Sequence, residues 1–242
     1  MRDKQAWSFD VAVHNQLPTL EQANDRLMKF KERFDTFILK GSQIVADAKI
    51  GNGELAAFLL HRHWSLEDGR VMMERPRVLQ SGKIALITSS CEESAALAAG
   101  AVPSRWTAVT SKEKMQALEF SADPFVREID TILLGKRKVV DALTELLYEH
   151  DLQASIGYMV AVRKSLVSQE FSDLVEENED RMSIVTGQNL SPLERQSHIR
   201  TGWALSWTRT GPVWATYCMH GPMQSCKHKT PDPPVCRPHG CV

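Results

Sequence analysis

The chain has 242 residues, 43% apolar and 24% charged, with a formal net charge of -1; that is length for one large or two small cored domains and the composition of an ordinary globular protein. The near-neutral balance supplies no global field for nucleic acid or an anionic membrane. No signal-peptide core opens MRDKQAWSFDVAVHNQLP, no run approaches a membrane span, and four of the five cysteines crowd the tail, so the expectation is a cytoplasmic protein with neither nucleic-acid nor membrane partners.

In chain order, the first strong element is a helix over 19–39, with Leu20, Leu27, Phe30, Phe34 and Phe37 as its apolar stripe and Gly41 placed to close it. LAAFLLHRHW (55–64) then reads as a strand. Alternation puts Leu55, Ala57, Leu59, His61 and His63 on one face, and Ala56, Phe58, Leu60, Arg62 and Trp64 on the other. VMMER (71–75), KIALITS (83–89) and PSRWTAV (103–109) continue as short strands. SKEKMQALEFSADP (111–124) reads as a polar, helix-prone connector. A second helix is expected over 123–150, with Asp123 as N-cap, Pro124 at the first helical position, and Ile129, Leu133, Val140, Leu143 and Leu147 at helical spacing.

After that helix the strand blocks recur in the same order. LAAFLLHRHWSL corresponds to SIGYMVAVRKSLV, VMMER to DLVEE, KIALITS to RMSIVTG, and PSRWTAV to RTGWALSW. The correspondence sets Glu74 against Glu176, Thr88 against Thr186 and Trp106 against Trp203. A helix followed by several short strands implies antiparallel pairing, hence an α+β class with two tandem helix-plus-antiparallel-sheet repeats forming a pseudo-dimer. The expected division is a first repeat over 1–110, a connector over 111–122, a second repeat over 123–220 and a Cys/His/Pro-rich tail over 221–242. A ligand site is expected between the repeats.

The histidine pair is the densest chemistry in the chain. Both imidazoles are expected on one strand face, with Glu74 on the next strand able to approach them. Three readings stand: metal ligands, with Glu74 or Glu67 as the carboxylate; groups that hydrogen-bond a substrate or exchange its protons; or strand-end histidines satisfied by their neighbours. HRHWSLE matches the start of a cupin metal motif but lacks its preceding glycine and its second half, and the second repeat carries Val162 and Lys164 instead of the pair. Arg62, Trp64, Trp106, Glu176 and Trp203 are candidate substrate contacts, the tryptophans as core or as a π-rich pocket lining. In the last 25 residues, Cys218, Cys226, His228 and Cys236 are candidate metal ligands without paired C-x-x-C spacing. Cys91 is a nucleophile candidate with no placed base. No G-x-S-x-G, P-loop, G-x-G-x-x-G or H-E-x-x-H occurs.

FLLHRHWSLEDGRVMMER followed by VPSRW resembles a group of fungal hypothetical proteins with an apolar strand ending in L-H-x-H-aromatic, an acidic following strand and a later small-x-x-W segment. EHDLQASIGYMV, LVEE and TGW resemble the same pattern in degenerate form, so the likeness spans most of residues 40–230. Such proteins sit beside secondary-metabolite genes, and the resemblance implies a cyclase or pericyclase of a natural-product intermediate. The expectation is therefore a cofactor-independent cyclase or isomerase acting on a mostly apolar small molecule. His61, His63 and Glu74 would be its catalytic groups. The rival expectations are a metal-dependent enzyme using His61, His63 and Glu74, and a non-catalytic binding or scaffold protein with a metal-binding tail.

Overall fold

The computed structural model describes residues 8–51, 54–80, 84–110, 115–161, 173–179, 181–208, 211–212, 216–220, 236–237 and 240–241. In chain order these form β1 (Ser8–Phe9), α1 (Val11–Asn15), α2 (Leu20–Met28), α3 (Lys31–Asp47), β2 (Leu55–Leu59), β3 (Arg70–Val78), β4 (Ile84–Glu92), α4 (Glu93–Ala98), β5 (Val102–Thr107) and β6 (Gln116–Ser121). There follow α5 (Pro124–Gly135), α6 (Arg137–Glu149), β7 (Ile156–Val160), β8 (Asp173–Glu179), β9 (Met182–Gln188), α7 (Pro192–Ser197) and β10 (Ile199–Ala204). The chain continues with β11 (Trp207–Thr208), β12 (Gly211–Pro212), β13 (Thr216–His220), β14 (Cys236–Arg237) and β15 (Gly240–Cys241). The class is mixed α+β. No helix among the described residues is long and apolar enough to cross a membrane.

Helix starts follow local capping chemistry. Thr19 and Gln22 form a reciprocal capping box at the head of α2. Asp123 accepts from the Phe125 backbone N–H at 2.8 Å, with Pro124 behind it. Each expected long helix is broken once, at Lys29–Phe30 and at Lys136. The bends let two straight apolar stripes follow a curved sheet. α2 buries Leu20, Ala23 and Leu27, and α3 buries Phe34, Phe37, Ile38 and Val45. Gly41 does not close a helix. It lies inside α3, where a Cβ would meet the side chain of Leu205 at 3.5 Å, so the position serves close packing.

The strands form one sheet rather than two. Its order is β1-β6-β3-β4-β9-β8-β13-β10-β2-β7-β5, and β5 also pairs with β6, so ten strands close on themselves. Pairing is mixed: β3–β6, β8–β13 and β1–β6 are parallel, the other pairs antiparallel. Parallel pairs require crossovers, and the one from β3 to β6 runs through β4, α4 and β5. Residues 116–121, expected within a helix-prone connector, are strand β6, because Ala117, Leu118 and Ser121 are all buried in the sheet.

Closure separates two environments. On the outer side, Leu55, Ala57 and Leu59 of β2 join Phe34, Phe37, Ile129, Leu143, Trp106 and Tyr158 in the main core under the helices. The alternate residues Ala56 and Phe58, with Met159 and Leu118, make a second cluster on the enclosed side. Gly157 is where the two sides come closest. A Cβ there would lie 2.4 Å from the Trp106 carbonyl oxygen and 2.6 Å from the Phe58 ring. Tyr158 ties the sheet to α6 by donating its hydroxyl to the Leu143 carbonyl at 2.7 Å.

Candidate functional site

Register carries the enclosed face around the ring. Phe58 and Ala56 lie opposite Gly157 and Met159. Met159 lies opposite Arg105, Arg105 opposite Glu119, and Glu119 opposite Met72. Two residues along β3 from Met72, Glu74 lies opposite Thr88, and Thr88 opposite Ser183. On β8, Glu176 lies opposite Val185, two residues from Ser183. Arg105, Glu119, Glu74, Thr88, Ser183 and Glu176 therefore share one inward face, all buried. An interior this polar is costly for folding alone, since each buried polar group must be compensated.

The histidines enter this interior from a loop. The strand expected over 55–64 stops at Leu59, where its pairing with β7 ends at Ile156. Beyond it the chain is held by other means. The Arg62 backbone N–H donates to the Pro18 carbonyl at 2.8 Å, and its guanidinium Nη1 donates to the Asn15 carbonyl at 2.5 Å. Asn15 clips the loop a second time, donating to the Leu66 carbonyl and accepting from the Leu66 N–H, each at 2.8 Å. His14 is buried beside this clip, and burial first, then the Arg62 charge, draw its pKa down to about 4 against the raising effect of Asn15.

His61 and His63 are thereby set side by side, with ring centroids 4.8 Å apart. His61 Nδ1 lies 2.7 Å from the Leu59 carbonyl oxygen, which only accepts, so Nδ1 is the donor in this contact. His63 Nε2 lies 3.5 Å from Glu176 Oε1, both side chains being 2% exposed. The Ser183 hydroxyl donates to the same carboxylate oxygen. The arrangement is two adjacent imidazoles beside an apolar wall, the first oriented by a carbonyl oxygen and the second at ion-pair distance from a carboxylate. Orientation of this kind lets an imidazole exchange protons at a chosen atom.

A second charged group lies on the same face. Arg105 Nε is 3.1 Å from Glu119 Oε2, and its guanidinium carbon lies 5.3 Å from the centre of the Phe58 ring. Thr88 Oγ1 and Trp64 Nε1 are among the buried polar atoms with no hydrogen-bond partner among the described residues. Trp64 packs on Leu66 and Met72.

The structure distributes the sequence candidates over several places. His61, His63 and Glu176 come together, and Trp64 stands 5.7 Å from His63. Glu74 is buried on β3 opposite Thr88. Arg62 holds the loop rather than lining its inner side. Trp106 and Trp203 lie with the outer core, Trp203 edge-on to Phe34 at 4.7 Å. Glu67 is exposed. Cys91 is buried under α4, and burial pushes its thiol pKa up, away from the reactive thiolate. Cys226 and His228 lie outside the described residues, as do Val162 and Lys164. Cys218 lies on β13 and Cys236 on β14. Among the described residues, no three His, Cys, Asp or Glu side chains form a group able to hold a metal ion. Sequence reasoning missed Arg105, Glu119, Ser183, His14 and Asn15. A signal existed for the first two, each a lone charge within an otherwise apolar strand run, VPSRWTA and QALEFS. No family model, curated protein or solved structure matches this chain.

Proposed function

We propose that the protein is a cofactor-independent isomerase or cyclase that takes a mostly apolar small molecule, of natural-product type, into the enclosed side of its sheet and moves a proton there. The observation that carries this is the pair of adjacent imidazoles, His61 bonded to the Leu59 carbonyl and His63 standing 3.5 Å from Glu176. In this reading His61 Nε2 removes a proton from a carbon beside a carbonyl, the electron pair passes into the enolate, and the proton is returned at a second carbon. The substrate is isomerised with no net change in protons. His63, with the Glu176 carboxylate 3.5 Å away, exchanges the proton with His61, and that carboxylate stabilises the cationic state. Phe58, Leu60 and Met159 supply the apolar wall that keeps a flexible chain folded for ring closure.

The finer architecture belongs to the same proposal: the chain is a duplicated α+β unit acting as a pseudo-dimer, located in the cytoplasm. What supports duplication is the strand order. Exchanging β2 with β7, β3 with β8, β4 with β9, β5 with β10 and β6 with β13 returns the same ring of neighbours. The exchange also pairs β2 with its own counterpart β7, and β4 with β9. On this view Glu176 is the counterpart of Glu74, and the carboxylate serving the first unit's histidines comes from the second.

The test is hydrogen–deuterium exchange of β-tetralone in D2O, followed by NMR. Exchange above that of equimolar imidazole is expected, falling about 100-fold in His61→Phe and in Glu176→Gln. Exchange at the imidazole rate, or unaltered in both variants, would overturn the proposal.

A further inference from the structure

We propose that β3, β4, β9 and β8 form a flap that swings about its β3–β6 edge and parts β8 from β13, admitting a small molecule to the enclosed face. Its closure is what brings Glu176 to His63. What is admitted rests on the small-molecule reading above, whereas the motion rests on how the ring is paired and covered.

These four strands hold one another far better than they hold the rest of the ring. All nine residues of β3 pair with β4, all seven of β8 pair with β9, and β4 joins β9 from Leu86 to Ser89. At the two outer margins the pairing is short and parallel. Among the described residues, β3 meets β6 at Met72, Met73 and Glu74, and β8 meets β13 at Val175 and Glu176. Parallel pairs are also the less stable kind per residue. The group therefore separates from its neighbours at lower cost than its strands separate from each other.

Covering differs in the same way. Among the described residues, the main core under the helices takes none from 70–92 or 173–188. On β9 the outward residues Met182, Ile184 and Thr186 stay half-exposed between buried inward ones. Helix α7, which follows β9, has no buried residue and is tied to β8, Arg195 donating from Nε and Nη2 to the Asp173 carboxylate at 3.0 and 2.9 Å. It travels with the flap.

The two margins are not equal. On the outer side of the β3–β6 margin, Val71, Met73 and Cys91 pack with Ala96 of α4. Phe9, Phe120 and Ala122 lie against them, the Phe9 and Phe120 rings edge-on at 5.7 Å. That margin is the hinge. Across the β8–β13 margin stand two contacts of another kind, Leu174 against the enclosed cluster of Ala56, Phe58 and Met159, and Glu176 beside His63. Both are made with the surface that receives the ligand. A ligand entering there takes the place of Leu174, and closure behind it returns Glu176 to the imidazole. Access and assembly of the site are then one motion.

Residue-resolved amide hydrogen exchange of the full chain tests the motion without a ligand. Alternate amides of β8 point to β9 and to β13. A swinging flap exposes only the second set, which is expected to exchange at least about 100-fold faster than the first. Equal protection of both sets, or joint loss of both as β8 unfolds, would overturn the flap. A reversible lock tests the entrance. In a background of Cys218→Ser, Cys226→Ser, Cys236→Ser and Cys241→Ser, Val175→Cys with Met219→Cys ties register partners of β8 and β13. Met73→Cys with Phe120→Cys ties the hinge instead. Stopped-flow binding of β-tetralone, followed by tryptophan fluorescence, should slow at least about tenfold when the first lock is oxidised and recover on reduction. The hinge lock should leave it unchanged. Uptake indifferent to the β8–β13 lock, or slowed equally by the hinge lock, would overturn the entrance while a small-molecule site stands. Absence of β-tetralone binding in every form would overturn the small-molecule reading and the entrance with it, and the exchange pattern would still decide the motion.

Discussion

Glu176 accepts from the Ser183 hydroxyl and faces His63 with both side chains almost wholly buried, so removing a partner is costly at this point. Ser183→Ala is expected to cost about 2 kcal/mol in chemical denaturation, because a buried carboxylate loses a charge-assisted bond without access to water. His14 gives a pH signature of another kind. Its folded pKa of about 4 lies below the ordinary 6.5, so between those values the unfolded chain binds the extra proton. Stability is fully present above about pH 6.5 and declines as pH falls toward 4, by about 3 kcal/mol from this residue. His14→Gln should flatten that part of the pH–stability curve. An unchanged slope in the variant would show that other groups carry it.

At the scale of elements, β7 is the strand on which both sides of the sheet depend. Gly157 leaves room for the Trp106 backbone and the Phe58 ring, and a methyl group would displace backbone rather than a flexible side-chain end. Gly157→Ala should therefore lower stability by several kcal/mol, or prevent folding, even though Ala favours ordinary strands no less than Gly. Tyr158→Phe is the milder probe of the same strand. It deletes only the bond to the Leu143 carbonyl and should cost about 1 kcal/mol by thermal or chemical denaturation. The α1–α2 segment acts through Asn15, whose two bonds to Leu66 fix the histidine loop. Asn15→Ala should loosen that loop and slow ketone exchange while the main core under α3 and α6 stays protected from amide exchange.

Across the whole molecule, neither half has its sheet alone. β2 pairs with β7 and β10, β4 with β9, and β5 with β7, so four pairs between the halves join the ring. The expected consequence is one cooperative unfolding transition. Fragments 1–122 and 123–242 produced separately should lack fixed tertiary structure and recover it on mixing. Two independent transitions, or a folded isolated half, would contradict the topology.

The sequence determined most of the local elements and put the histidine pair and Glu176 among the candidate residues. Helical spacing placed the stripes of α2, α3, α5 and α6, alternation placed β2, and capping residues placed the starts at Thr19 and Asp123, because these signals act over a few residues. The histidine pair and Glu176 were both visible as candidates. What only the tertiary structure decided is their meeting. Strand alternation carried His61 and His63 onto the face of Leu59, yet β2 ends there, and the loop turns them to the enclosed side under the clip of Asn15 and Arg62. Glu176 joins them from more than a hundred residues away through the order of strands in a closed ring. Arg105 and Glu119 became a pair for the same reason. Register between non-neighbouring strands is set by the burial of all of them together, and no short window of sequence contains it.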